Sequence, residues 1–410
     1  MRTLIALILC LMLLTVPAAA EEDMTIVIAS DMHFLSPSLT DYGEAFMALL
    51  QAADAKMTHR TPEIMQTFVA EMLALLPDAV VLTGDLTLNG APASHYDLDD
   101  ILRPLKDAGI RVLALSGNHD SGSAAYSFSE EGTKMVLGLG DVQFAGRYRE
   151  YGYNDAIARD EHSASYAAAL SDTLWFLLLD TSCNEVEGWL LPSTLEWAEQ
   201  QLQAAQAAGA TVIGATHQNL FLHSALFDGG YQIYNAQPLI DLYKQYGVRL
   251  HFSGHMHIQH ILHQDGIAEV ASSSLAVAPH QYGVLTVSPS GAMQYRTREL
   301  DVSAWAREQG LTDPELLDFA AASRDFFDQK TLSSATRRTA DLPIPDDARQ
   351  RMIDLAVTIN RAYFAGCVPA DYDAESFALW QTYSNDEFYL PYLQSMLDDA
   401  GRDMRTLTLP

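Results

Sequence analysis

Up to about residue 300, short apolar runs alternate with longer stretches in which apolar side chains recur at helical spacing. The short runs have the length of buried strands, whereas the longer stretches have the periodicity of amphipathic helices. Strands are therefore predicted at residues 24–29, 79–82, 112–115, 174–179, 212–215 and 248–252. Helices are predicted between them at residues 41–56, 61–76, 94–108, 193–208 and 238–246. This alternation is typical of an α/β fold.

The other segments have a different character. Residues 258–262, 268–270, 283–287 and 293–296 alternate with turns, which indicates an antiparallel finish to a sheet. Residues 121–160 form a long connection, and connections of this length tend to be functional lids or to contain short helices of their own. Its tyrosines are predicted to pack beneath the loop, with stacking on a nucleobase as the alternative, and they are Tyr148, Tyr151 and Tyr153.

Beyond residue 300 the pattern becomes helical. Residues 312–315 have the sequence of a capping box with an early proline, which indicates the start of a helix. Apolar side chains then recur on one helical face, at Leu316, Phe319, Ala320 and Phe327. Two further apolar segments, at residues 352–363 and 377–393, extend this region. We predict a small helical domain that packs on the preceding one and shapes access to its polar edge, with simple structural support on the far side as the alternative.

Short polar motifs follow five of the predicted strands. They are Asp31-Met32-His33, Gly84-Asp85, Gly117-Asn118-His119-Asp120, Thr216-His217 and Gly254-His255-Met256-His257. Carboxylate, amide and imidazole groups of this kind bind Zn, Mn or Fe. Each motif taken singly is more often ordinary turn chemistry or a structural histidine. Five in order, each at a strand end, predict one metal site at the edge of a sheet.

This order of motifs resembles that of the calcineurin-like metallophosphoesterases over residues 24–298. The resemblance implies a four-layer α/β/β/α sandwich. In its finer pattern, the segment of residues 84–90 is similar to the branch that contains class III cyclic-nucleotide phosphodiesterases. The purple acid phosphatases are a poorer match, because they need a Tyr where this chain has Leu88.

The resemblance also implies a ligand set for two divalent or trivalent transition-metal ions, which would be Mn, Fe or Zn. One ion would be held by Asp31, His33 and His257. The other would be held by Asn118, His217 and His255, with Asp85 bridging both. Each of these positions contains the residue that the family requires.

Two further residues are assigned to catalysis by the same resemblance. His119 would lie above the metal pair without binding it, and could donate a proton to the leaving oxygen or steady the developing charge. Asp120 would hold the far nitrogen of the His119 ring and thereby fix its tautomer.

These residues predict hydrolysis of a phosphodiester, with a cyclic nucleotide as one case. Two cations ~3.5–4 Å apart can share one water, lower its pKa and supply a bridging hydroxide for attack at phosphorus. A phosphomonoesterase is the alternative within the enzymes. A non-catalytic, metal-binding scaffold is the alternative outside them, although such scaffolds lose ligands and none is missing here.

The net charge of the chain limits the classes of molecule that it is expected to bind. There are 24 Lys and Arg against 53 Asp and Glu, for a net charge of −29. This acidity opposes binding to nucleic acid polymers or anionic membranes. A small phosphoester entering a metal-lined pocket remains compatible with it, so such a molecule is the expected substrate.

The N-terminus has the features of a signal peptide. Arg2 precedes an apolar run at residues 4–16 and a small-residue cleavage site at 17–20, and the run is too short to span a bilayer. We therefore expect a secreted, periplasmic or cell-envelope protein without a stable membrane anchor. The predicted organisation is a signal peptide at 1–20, a catalytic domain at 21–298 and a helical domain at 299–410. Cys183 and Cys367 could pair after export, but separate thiols are favoured.

Overall fold

The computed structural model describes residues 22–52, 54–122, 124–140, 143–182, 186–227 and 229–410. The predicted signal peptide and Cys183 lie outside these residues, and Cys367 is a free thiol. The strands are β1 (Met24–Ala29), β2 (Ala79–Thr83), β3 (Arg111–Leu115), β4 (Ala124–Ser129), β5 (Gly132–Leu137), β6 (Ala158–Arg159), β7 (Tyr166–Ala169), β8 (Leu174–Leu178), β9 (Thr211–Ala215), β10 (Leu250–Ser253), β11 (His260–Gln264), β12 (Ile267–Ala271), β13 (Gln281–Val287), β14 (Met293–Glu299) and β15 (Thr406–Leu409).

The helices alternate with the strands in the first part of the chain and dominate its last part. They are α1 (Glu44–Ala52), α2 (Thr61–Leu75), α3 (Pro92–Asp107), α4 (Phe144–Arg147), α5 (Pro192–Ala208), α6 (Ala236–Tyr246), α7 (Val302–Glu308), α8 (Pro314–Leu317), α9 (Phe319–Thr339), α10 (Asp346–Phe364), α11 (Ala374–Tyr383) and α12 (Tyr389–Leu397). Among the described residues, no helix has both the length and the apolar composition needed to cross a membrane.

Two mixed sheets form the centre of the molecule. The strand order is β15-β14-β13-β1-β2-β3 in the first sheet and β11-β12-β10-β9-β8-β7-β6 in the second. One hydrophobic core joins them, with Ile28 from the first sheet and Phe252 from the second. Helices α2 and α3 pack on the first sheet through side chains of the same core. Helices α5 and α6 cover the second sheet through Leu202 and Tyr243. The fold is therefore an α/β/β/α sandwich with a helical C-terminal region.

The long connection at residues 121–160 differs in part from its prediction. It contains the short helix α4, as expected, but also an antiparallel hairpin of β4 and β5 that the sequence pattern did not indicate. The predicted packing of its tyrosines is confirmed, because all three are buried beneath the connection: Tyr148, Tyr151 and Tyr153. The antiparallel finish is also confirmed, since β11 pairs antiparallel with β12 and β13 with β14.

The helical region is attached to the sandwich at several places. Its hydrophobic core includes Met256 and Ile258, which flank the predicted ligand His257. After the last helix the chain returns as β15, which pairs antiparallel with β14 so that Leu409 lies opposite Met293. This strand was not predicted, because a four-residue edge strand has too little sequence pattern to separate it from a loop. The helices thus pack at the polar edge of the sandwich.

Buried histidines make the stability of the fold dependent on pH. Burial lowers the pKa of His95, His251 and His280 to about 4, from the ordinary value of 6.5. Each is therefore neutral in the folded chain but takes up a proton below pH 6.5 once unfolded. Their contribution to the free energy of unfolding is fully present above pH 6.5 and is lost as the pH falls towards 4. For each histidine the loss is ~1.4 kcal/mol per pH unit.

We expect the free energy of unfolding, measured by urea titration, to fall steeply between pH 6.5 and pH 4.5. The variant His280→Phe should reduce this slope by the contribution of one histidine. The variant His263→Gln is the control, because His263 is exposed. Identical slopes for wild type and His280→Phe would contradict this explanation.

Candidate metal centre

The ends of five strands bring the predicted ligands together. Side chains that follow β1, β2 and β3 of the first sheet meet those that follow β9 and β10 of the second. One group of donor atoms consists of Asp31, His33, Asp85 and His257, and a second consists of Asp85, His217 and His255. Within each group all donor atoms lie within 4.8 Å of one another. Asp85 belongs to both groups.

The two oxygens of Asp85 face different histidines. Its Oδ2 lies 3.7 Å from Nε2 of His33, and its Oδ1 lies 3.3 Å from Nε2 of His217. The side-chain oxygen of Asn118 lies 3.1 Å from the same nitrogen of His217, so Asn118 joins the second group. A carboxylate in this position can bind one cation with each oxygen.

The distances within the first group fit a bound cation. Nε2 of His33 lies 2.9 Å from Nε2 of His257, which in turn lies 3.3 Å from Oδ1 of Asp31. Facing imidazole nitrogens beside buried carboxylates are a donor set for Zn, Mn or Fe. The residues present therefore fit the metal chemistry expected from the sequence.

Backbone carbonyls orient two of the ligand rings. Nδ1 of His217 donates to the carbonyl of Thr83 at 2.9 Å, so Nε2 faces the second donor group. Nε2 of His255 donates to the carbonyl of Gly230 at 3.1 Å, which leaves Nδ1 free. Such contacts fix the tautomer and the ring plane of a metal ligand.

The backbone at these strand ends is strained. Five of the predicted ligands have positive φ angles between 43° and 68°, and they are Asp31, His33, Asp85, His255 and His257. Residues other than glycine enter this left-handed region at a cost of roughly 1–2 kcal/mol each. Strain of this kind is held by the surrounding structure at functional sites.

Two motif glycines allow the strand ends to approach one another. A Cβ atom on Gly117 would lie 2.1 Å from the backbone nitrogen of Asp85, and one on Gly254 would lie 2.0 Å from Oγ of Ser30. No side chain fits at either position. The glycine of the third motif is thus explained by the close approach of two strand ends of the first sheet, and the glycine of the fifth motif by contact between the two sheets.

The charges of the buried carboxylates are maintained by neighbouring histidines. Burial acts to raise the pKa of Asp85, but the charges of His217 and His119 hold it well below its usual range. Burial acts in the same direction on Asp31, whose pKa is lowered by His257. In return, Asp85 raises the pKa of His217 to about 10 against the effect of burial. The centre therefore holds ionised carboxylates suited to cations.

His119 lies beside the donor groups but belongs to neither. Its ring is edge-on to His33, with 4.8 Å between the ring centroids, and its backbone N–H donates to Asp85 at 2.8 Å. Nδ1 of the ring lies 2.6 Å from the carbonyl of Leu88 and must carry the proton of that hydrogen bond. Nε2 is the ring nitrogen that this contact leaves unused.

The prediction that Asp120 holds the ring of His119 is wrong. The carbonyl of Leu88 takes that place, and Asp120 instead accepts hydrogen bonds from the backbone N–H groups of Leu86, Thr87 and Gly117. The physical reason is that the tight turns after β2 and β3 bury backbone donors, which need an acceptor. Burial and the charge of Asp85 raise the pKa of Asp120 to about 7. Asp120 is a positioning residue.

The variant Asp120→Ala should destabilise the fold strongly, because it leaves three buried N–H groups without acceptors. Each such group costs ~1–3 kcal/mol, so the free energy of unfolding should fall by several kcal/mol. The variant Asp120→Asn is the matched control, since it keeps one oxygen and should lose less. Urea titration measures both, and an Asp120→Ala variant as stable as the wild type would contradict this role.

Sequence reasoning missed Lys56, a lysine near the centre. It is only 8% exposed, and its charge adds to burial in lowering the pKa of His33. Together with His119 it lines a cavity of about 430 Å³. A single lysine in a predicted helix forms no motif, and only the scarcity of lysine, with five in the chain, could have drawn attention to it.

Comparison with known proteins agrees with this geometry. A family model described as calcineurin-like phosphoesterase matches residues 24–259, and a model described as the C-terminal domain of cyclic nucleotide phosphodiesterase matches residues 301–403. The chain therefore belongs to the calcineurin-like phosphoesterase family, as its motifs indicated.

Individual relatives are more distant. A 3′,5′-cyclic-nucleotide phosphodiesterase of Nostoc sp. is 29% identical over 184 residues, which are 44% of this chain and 56% of the relative. A probable cyclic nucleotide phosphodiesterase of Psychrobacter arcticus is 24% identical over 201 residues, 48% of this chain and 63% of the relative. The matches thus span less than two thirds of the length of each relative.

Among solved structures, a dimetal phosphatase from Danio rerio is similar to this chain with a TM-score of 0.48 and 13% sequence identity. The similarity covers 67% of this chain and 96% of the phosphatase.

Proposed function

We propose that the protein is an exported phosphodiesterase with two metal ions, acting on a small phosphodiester, of which a cyclic nucleotide is one case. The observation that carries this proposal is the position of Asp85, whose two oxygens serve two separate histidine groups. The names of the two relatives and the family match at residues 301–403 support the same substrate class.

The side chains of the site have separate roles in the proposed reaction. The two bound cations would supply an activated water and neutralise charge at phosphorus. Asp31, His33 and His257 would hold one cation, and Asn118, His217 and His255 the other. Nε2 of a protonated His119 would give its proton to the leaving oxygen.

A phosphodiester suits the charges around the centre better than a monoester. Among the described residues that line the two cavities beside the ligands, Lys56 is the one lysine or arginine. A diester has a single negative charge and therefore needs fewer cationic side chains than a monoester dianion does.

A pair of chromogenic substrates tests the proposal. Metal-loaded protein should hydrolyse bis(4-nitrophenyl) phosphate with a higher kcat/KM than 4-nitrophenyl phosphate, and chelation should abolish both reactions. The reverse preference would identify a phosphomonoesterase. Protein that contains metal but turns over neither substrate would be a scaffold, and would overturn the proposal.

Export is a separate expectation with its own measurement. Cleavage after Ala20 should give a mature chain that begins at Glu21. N-terminal sequencing of the protein from its native host determines this directly. Soluble protein that retains Met1 would show that the segment is not a cleaved signal peptide.

A further inference from the structure

A second cavity, of about 250 Å³, opens directly beside the metal ligands His255 and His257. Its wall is built from distant parts of the chain. Phe227 and Tyr231 come from the loop before α6, whereas Tyr363, Phe364 and Tyr392 come from α10 and α12 of the helical region. We call this space the aromatic cavity.

Three of its rings form a continuous series that starts at the metal centre. The ring of Tyr231 lies 5.1 Å from that of His255, measured between centroids. Phe227 lies 5.3 Å from Tyr231, and Tyr392 lies 5.6 Å from Phe227. The wall therefore runs from a predicted metal ligand to the helical region without a break.

The wall is held in place by contacts behind it. The hydroxyl of Tyr392 donates to Asn360 at 2.7 Å, and its ring stacks on Phe388 at 6.0 Å. The carbonyl of Gly230, the residue before Tyr231, accepts the hydrogen bond from His255. The rings are thus oriented before a ligand arrives, which reduces the entropy lost on binding.

We propose that the aromatic cavity binds the nucleobase of a nucleoside phosphodiester whose phosphate lies at the metal centre. This inference rests on the proposed function. Aromatic rings offer stacking to the flat face of any base. Asp54 also lines the cavity, and its carboxylate can accept an N–H of the base edge but repels a second phosphate. The helical region would therefore select substrates that have one phosphate and one base.

Two esters with the same leaving group test this selection on full-length, metal-loaded protein. They are thymidine 5′-(4-nitrophenyl phosphate), which has a base, and methyl 4-nitrophenyl phosphate, which has none. The measured quantity is the ratio of their kcat/KM values. Tyr231→Leu and Tyr392→Leu should each lower this ratio by about 5- to 150-fold, because each variant removes one ring on which the base can stack.

Conservative variants separate stacking from simple structural damage. Tyr231→Phe and Tyr392→Phe keep the ring and should keep the ratio near that of the wild type. Tyr234→Ala is the control on the same loop, because Tyr234 is exposed and lies outside the cavity. Adenosine, which has no phosphate, should bind to the wild type in calorimetry and bind at least fivefold more weakly to the Leu variants.

The outcomes distinguish this inference from the proposed function. If the wild type hydrolyses both esters but the Leu variants leave the ratio and the adenosine affinity unchanged, the cavity does not bind the base, and the phosphodiesterase assignment stands. If the metal-loaded wild type hydrolyses neither ester while adenosine still binds as expected, the proposed reaction is wrong and the base site stands.

Discussion

Asp85→Asn should remove metal from both positions of the centre at once and lower diester turnover by more than about 100-fold, since even outer partners of metal ligands cost 10–100-fold. The variant keeps Oδ1, which accepts the backbone N–H of His119, so the turn itself is preserved. It replaces the oxygen that faces His33 with an amide group and removes the negative charge that two neighbouring cations share. Metal analysis of the purified variant, alongside kinetics, measures both effects.

Single-ligand variants provide the comparison. His257→Gln should lose mainly one metal ion and His217→Gln mainly the other, because these histidines belong to different donor groups. If Asp85→Asn retained two ions per chain, or if metal-free wild type were equally active, the shared-carboxylate arrangement would be disproved.

His119→Gln should keep its metal and lose its activity. His119 lies outside both donor groups, so metal content should stay near two ions per chain. General acid catalysis is worth typically 10²–10⁴-fold, and turnover of an alkyl diester should fall by about that factor. The fall should be smaller for nitrophenyl esters, whose leaving group needs little protonation.

The hydrogen bond with Leu88 can be kept by a second variant, His119→Asn, because the amide of Asn occupies the position of Nδ1 and can donate to that carbonyl. His33→Gln is the contrasting variant, since it removes a ligand and should lose metal together with activity. Normal hydrolysis of an alkyl diester by His119→Gln would show that this ring takes no part in the reaction.

Much of the site could be predicted from the sequence because it follows from strand order. Polar motifs after buried parallel strands must meet at one edge of the sheets, and five such motifs in sequence predicted which side chains the structure brings together. The α/β class and the helical C-terminal region were predicted by the same periodicities of apolar residues. A local sequence pattern can indicate the type of element, because the spacing at which side chains return to one face of a strand or helix is set by the backbone alone.

Other features were decided only by the tertiary structure. The partner of His119 depends on the turns after β2 and β3, which bring the carbonyl of Leu88 to the ring and place Asp120 beside buried N–H groups. The strand β15 forms because the chain end meets β14, more than 100 residues earlier. The aromatic cavity joins Tyr231 to Tyr392 across a still larger separation in sequence. Such contacts depend on which surfaces meet after packing, and no short segment of sequence encodes them.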